Sequence, residues 1–290
     1  MLRAPERRVA APAMSSELRA AFRLRGGRTA LADAYFTSPL KVKRTFPVGE
    51  GGAAVTVMDV SPGLMDGDVY GLDWTVGPGC SVYATTQSYA KVHPGPRAGS
   101  VQSTTIRVEA GASFVYAPQP VMLYAGASLK ASTRVELADD ATLLLFDAMC
   151  AGRVHYGAGE AFRFRLYEAE VEVLAQGRLA AYGRQRFAPA EQTLGAIGAF
   201  ERDTHAGTLY AFGPSASRDA VEALRPVADR AAGVRCGVSL LARYGLAATA
   251  VGRSAWEVQA ALESIGRAFA AYAAERAPRG CAPIVWPEEA

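Results

Sequence analysis

Residues that usually hold metals or act as nucleophiles are scarce in this chain. Its 290 residues include three histidines and four cysteines. His93, His155 and His205 stand apart from one another, and Cys80, Cys150, Cys236 and Cys281 form no C-x-x-C pair. No H-x-x-x-H, zinc-ribbon or facial-triad spacing can be read, which excludes the common local metal motifs. There is no P-loop, no G-x-G-x-x-G and no G-x-S-x-G, which excludes the familiar phosphate-loop, dinucleotide and serine-hydrolase signatures. Scattered cysteines point to reduced, structural thiols, and Cys150 reads as a small buried apolar group. The net charge of +3, from 31 basic and 28 acidic residues, is too balanced to indicate nucleic acid or an anionic membrane. No apolar run approaches the ~18 residues that cross a bilayer, and the first residues lack the apolar core of a signal peptide. The expectation is a soluble cytoplasmic protein with no tightly bound cofactor.

What the chain does have is apolar mass and a repeat. Half of its residues are hydrophobic, enough for a substantial core. Arg3, Arg7 and Arg8 lie among alanines and prolines, so residues 1–16 read as a disordered lead. Few linker signals interrupt residues 17–277, which read as one domain, followed by a tail over 278–290.

The repeat sets the fold class. Val76-Gly77-Pro78-Gly79-Cys80-Ser81-Val82-Tyr83 is echoed by Val108-Glu109-Ala110-Gly111-Ala112-Ser113-Phe114-Val115 and again by Leu137-Ala138-Asp139-Asp140-Ala141-Thr142-Leu143-Leu144. Each copy enters from a strand-like run, turns tightly and leaves on a β-prone run. Units of this size stack, because one alone cannot bury its apolar face. The three copies bring Thr86, Pro118 and Asp147 to equivalent positions. Stacking would gather their polar neighbours along one edge, unless these residues merely end strands and cap turns.

Elsewhere, Leu18–Leu24, Thr29–Phe36, Leu40–Lys43 and Val55–Met58 read as strands, as do Phe162–Leu166 and Glu170–Leu174. The last third changes to helical spacing. Ser254-Ala255-Trp256-Glu257 has the form of a capping box, and Val258, Leu262, Ile265, Phe269 and Tyr272 share one helical face over 255–275. A second helix is expected from Ser217 to about Ala232, kinked or interrupted at Pro226. Val238–Ala242 and Leu246–Val251 suggest a hairpin about Gly245. The fold class is mainly β, a coiled or stacked β-strand (β-helix-like) domain with two α-helices near the C-terminus.

At this level of detail the chain resembles a known family. Gly26-Gly27-Arg28-Thr29, Ser38-Pro39-Leu40-Lys41-Val42, Gly67-Asp68, Thr85-Thr86-Gln87-Ser88-Tyr89-Ala90-Lys91-Val92, Pro118-Gln119-Pro120, Gly152-Arg153 and Gly159-Glu160-Ala161-Phe162 occur in the order and spacing of the urease accessory protein UreD, called UreH in some bacteria. The resemblance covers roughly residues 22 to 190, with a weaker echo in the final helix. It implies a β-rich, non-catalytic metallochaperone scaffold for nickel insertion. It also implies binding to UreF, through UreF to the GTPase UreG, and to apo-urease, with an internal hydrated route for Ni2+. Carried over residue by residue, it makes Asp68 and Asp147 candidates for a transient nickel path. Thr85, Thr86, Lys91 and Gln119 become path-lining or structural candidates. Asp66 is a further such candidate, and it departs from the members that have glycine there.

The donor chemistry suits transit. Thiolate and imidazole clusters bind nickel tightly, whereas isolated carboxylates and hydroxyls release it. Plainer readings stay open. Asp68 can cap a turn, Asp147 can pair with Arg153 or Lys91, and Lys91 can be a solvated charge. His93 and His155 read as loop, surface or core residues. Two other functions also remain: a passive adaptor in the maturation complex, and a β-solenoid hydrolase using Asp68 with Asp147 as an acid–base pair.

Overall fold

The computed structural model describes residues 13–276 and 280–287. Most of the expected lead, and positions 278–279 and 288–290 of the expected tail, lie outside the described residues. Regular structure starts earlier than the sequence suggested. Strand β1 (Ser15–Arg25) turns at Gly26-Gly27, both at positive φ, into β2 (Arg28–Phe36). Then follow β3 (Leu40–Val48), β4 (Gly52–Asp59), β5 (Val69–Val76), β6 (Ser81–Thr86), β7 (Ala90–Val92), β8 (Ser100–Val108), β9 (Ser113–Ala117), β10 (Val121–Leu123), β11 (Ser128–Leu137) and β12 (Thr142–Cys150). The chain continues through β13 (Leu166–Ala175), β14 (Arg178–Phe187), β15 (His205–Phe212), helix α1 (Arg218–Asp229), β16 (Val234–Leu240), β17 (Gly245–Gly252) and helix α2 (Ala255–Ala274). The chain is mainly β, and its two helices among the described residues follow residue 217.

The repeats build two sheets. Their tight turns do not close hairpins; each carries the chain from one sheet to the other. The first sheet has the order β14-β13-β11-β8-β5-β1-β2, and the second runs β16-β17-β15-β12-β9-β6-β4-β3, with β7 and β10 attached beside β12. Strands β5, β8 and β11 pair in parallel in the first sheet, and β6, β9 and β12 do so in the second. Thr85 lies opposite Ala117, and Leu145 opposite Tyr116. Extending the first pair by one residue and the second by two brings Thr86, Pro118 and Asp147 level.

Side-chain alternation sorts the core into two layers. On β9, Phe114 and Tyr116 pack between the sheets, while Val115 and Ala117 face the helices. On β12, Leu143 and Leu145 take the first direction and Leu144 and Phe146 the second. A strand covered on both faces must be apolar on both, and all five residues of β9 are buried. Helix α2 contributes Val258, Leu262, Ile265 and Phe269 to the outer layer, the face read from its spacing.

Three local expectations are corrected. Phe162–Leu166 is not a strand: Phe162 sits at φ 57°, and regular pairing begins at Leu166. Ser254 makes no side-chain cap bond, and the Glu257 carboxylate lies against Gly233 instead of turning back to close a capping box. Pro226 does not break α1, which continues to Asp229 and ends within a turn of it. Ser217 does cap α1, accepting from the Ala220 N–H at 3.1 Å. The expected hairpin is present as β16 and β17.

Residues 280–287 are integrated into the fold. Pro283 O accepts from the hydroxyls of Ser81 and Ser113, and Val285 is buried against Gly49 and Gly52. The Trp286 ring lies 5.8 Å from Tyr83 and 5.9 Å from Phe146. Trp286→Ala should lower stability by about 2 kcal/mol, less than a fully buried tryptophan would. Chemical unfolding measures this; an unchanged midpoint would show that the segment contributes nothing.

Candidate functional site

The two sheets do not meet everywhere. Inward positions of the first sheet carry short side chains where its central strands cross the second. Ala131 lies opposite Gln102 and Ala169, and Thr133 opposite Thr104 and Val171. Facing sheets pack about 10 Å apart, and small residues cannot fill that gap. What remains is a cavity of about 110 Å³. At roughly 10–15 Å³ per probe-sized site, it has room for several waters.

The ends of the three repeats face this space. Thr86, Pro118 and Asp147 all line it, as do Gln87, Ser88 and Gln119 from the adjoining connections. Asp147 follows from alternation: with Phe146 turned to the helices, the next side chain points between the sheets. Its Oδ1 receives a long bond, 3.4 Å, from the Tyr167 hydroxyl on the opposite sheet. Burial pushes the Asp147 carboxyl up to about 6, and the Tyr167 bond offsets only part of this. Burial also raises the Tyr167 phenol well above its ordinary value, and the Asp147 charge adds to that. A second carboxylate–tyrosine pair lines the same cavity. The Tyr70 hydroxyl donates to Asp59 Oδ2 at 3.3 Å, while Asp59 Oδ1 accepts from Ser61.

The other candidates lie elsewhere. Asp68 is buried but does not line the cavity; its Oδ1 accepts from Met14 N at 2.8 Å and its Oδ2 from Met65 N at 2.9 Å. That is the turn-capping arrangement, and it ties the start of β1 to the 61–68 loop. Asp66 does the same for the next loop, accepting from the backbone N–H groups of Arg97 and Gly99. Thr85 points away from the cavity and donates to Ala117 O at 2.6 Å. Thr86 Oγ1 accepts from Gln119 N at 2.9 Å, and Gln119 reaches Gln259 of α2 at 3.2 Å. Lys91 is exposed and does not line the cavity. Asp147 is not paired with Lys91 or Arg153; Arg153 binds Glu160. Since Asp68 and Asp147 share no cavity, the acid–base pair needed by a hydrolase is not assembled. Among the described residues, no three His, Cys, Asp or Glu side chains converge to hold a metal.

Sequence reasoning missed Asp59 and Tyr167. The signal for Tyr167 was its alternation with Ala169 and Val171 on one strand face. Asp59 closes β4 and falls outside the repeat, so no spacing marked it.

These features define a class: a two-sheet β scaffold with a largely apolar cavity between the sheets, into which a few carboxylate, hydroxyl and amide groups project. The family model for UreD urease accessory protein matches residues 14–287. A urease accessory protein UreD from Acetivibrio thermocellus is 30% identical over 240 residues, which is 82% of this chain and 91% of that protein. One from Sorangium cellulosum is 36% identical over 233 residues, 79% of this chain and 72% of the other. A urease accessory protein UreH from Helicobacter pylori is 28% identical over 179 residues, 62% and 67% of the two chains. The chain belongs to the UreD family.

The raised Asp147 carboxyl has a consequence for stability. The folded state binds this proton more tightly than the unfolded chain, whose carboxyl titrates near 3.8. The stability it contributes is full below pH ~4 and is lost as pH rises through about 6, leaving a charge buried at neutral pH. Asp147→Asn should therefore stabilise the protein by roughly 1–3 kcal/mol at pH 7.5 and by little at pH 4. Thermal unfolding at the two pH values checks this; equal shifts at both would show that the carboxylate is fully solvated.

Proposed function

We propose that this protein acts in urease maturation as a non-catalytic scaffold whose internal cavity offers Ni2+ a loosely held route past Asp147. The observation that carries this reading is the chemistry of the cavity wall. Its polar side chains are carboxylate, hydroxyl and amide groups, with no imidazole or thiol among the described lining residues. Oxygen donors exchange a divalent ion readily, while nitrogen and sulfur clusters retain it. Asp147, half-buried and without a cationic partner among the described residues, gains most from a passing cation, because an unpaired carboxylate in the interior is costly. Thr86, Gln119 and Asp59 supply further oxygens near it. Asp68 has a structural part in this reading, holding the loop that starts β5.

Membership of the UreD family supports the partners as well: UreF, the GTPase UreG through UreF, and apo-urease. No described helix is long and apolar enough to cross a membrane, and we place the protein in the cytoplasm with its urease.

The test separates a route from a passive adaptor. Asp147→Ala removes the central oxygens, and Ala169→Leu fills the cavity from the opposite sheet. Each should cut nickel-dependent urease activation roughly tenfold, about 1.4 kcal/mol in a rate. Ala169→Leu should cost no more than about 1.5 kcal/mol of stability, because it enters empty space. Co-purification with the maturation partners should persist in both variants. Normal activation by both would overturn the route and leave an adaptor.

A further inference from the structure

A second pocket lies on the other side of Tyr89, which lines both it and the Asp147 cavity. Its volume is about 510 Å³, and it opens more freely to solvent. Basic groups from three separate segments converge on it. Arg153 and His155 come from the connection after β12, His205 from the start of β15, and Arg253 from the residue before the α2 N-cap. No aspartate or glutamate is among its described lining residues. Arg153 is neutralised by Glu160 and held between the rings of Tyr124 and Tyr156, at 4.2 and 3.8 Å. Arg253 is different: it is exposed, and its guanidinium has no ion pair among the described residues.

The remaining walls carry a buried imidazole and the start of a helix. His205 is only 6% exposed, and its Nδ1 is paired with Thr204 Oγ1 at 2.9 Å. Burial pushes its imidazole below the ordinary value; the Arg253 carbonyl opposes this, and nearby His155 adds to it. Helix α2 begins on the same wall, and its Ser254 hydroxyl makes no cap bond to the first turn. The rim is aromatic: Trp256 is 70% exposed and Tyr156 60% exposed, among the largest apolar side chains left in solvent. Such residues anchor protein interfaces when a partner covers them.

We propose that this pocket docks an acidic segment of a protein partner, with a carboxylate directed at Arg253 and apolar contact on Trp256 and Tyr156. Charge complementarity selects this occupant: the pocket presents the exposed, unpaired Arg253 with no acid among its described lining residues, and its aromatic rim is built for a chain rather than a bare ion. Docking would place the partner's carboxylates one side chain, Tyr89, from the Asp147 cavity. The proposal rests on the scaffold reading only in supposing that a partner exists.

The test uses the full chain, with poly-glutamate as the acidic probe and poly-lysine as control. Binding is followed by isothermal titration calorimetry, which reads every variant without a tryptophan reporter. Poly-glutamate should bind, poly-lysine should not, and added salt should weaken the binding. Arg253→Glu and Trp256→Ala should each weaken it roughly tenfold. Both positions are exposed, so thermal unfolding should not change. Equal affinity in Arg253→Glu and the parent protein would overturn the proposal. So would inorganic phosphate binding with the same Arg253 dependence and no weaker than poly-glutamate, which would mark a small-anion site. Asp147→Ala should bind poly-glutamate normally, so the ion route and the docking pocket can fail independently.

Discussion

A β-sheet covered on both faces leaves no inexpensive place for a carboxylate, and the rest of the site follows from that constraint. The second sheet packs against the first sheet on one side and against α1 and α2 on the other. Strand β9 meets the condition by being buried throughout. Strand β12 meets it from Leu143 to Phe146 and then departs from it at Asp147. An isolated charge there would be intolerable in a dry interior. It is tolerated because the opposite sheet recedes at that point.

The recession has its own cause. Repeat stacking fixes which residues of the first sheet face inward, and at this level they are Ala131, Thr133, Thr104 and Ala169. Larger side chains would have closed the gap, as Phe22, Trp74 and Phe114 do near the turns of the repeat. One register thus delivers a carboxylate on one sheet and room for water on the other. The long Tyr167 bond fits this balance: the phenol is near enough to orient Asp147 but does not neutralise it.

How much of this could be read from the sequence depends on range. The repeat exposed the parallel register, and so the common level of Thr86, Pro118 and Asp147, because a period needs only spacing. The receding wall was not legible, because an alanine in a strand says nothing about what lies across from it. Asp68 and Asp147 looked alike as isolated acids. The difference arises because Met14 and Met65 offer backbone N–H groups to one, while the other projects from a strand whose own amides belong to the ladder. The capping box at Ser254 is not formed, and the Glu257 side chain lies beside Gly233, a long-range contact that local pattern cannot contain. The segment 280–287 read as a tail because an extended, proline-bearing stretch has no periodicity. Its anchoring depends on two small serines, Ser81 and Ser113, at matching positions of two repeats.

The charges of the two pockets are opposed across Tyr89. Inside, Asp147 and Asp59 favour a cation; outside, Arg253 and the start of α2 disfavour one. On the proposed readings this opposition has a use. A divalent ion in the cavity meets a positive barrier at the outer pocket as long as that pocket is empty, so the oxygens can be few and weak without losing it to solvent. An acidic segment seated outside would remove the barrier and present fresh carboxylates to the ion at the same moment. Weak internal binding and directed release then need no tight site inside the cavity, whose described lining holds no imidazole or thiol.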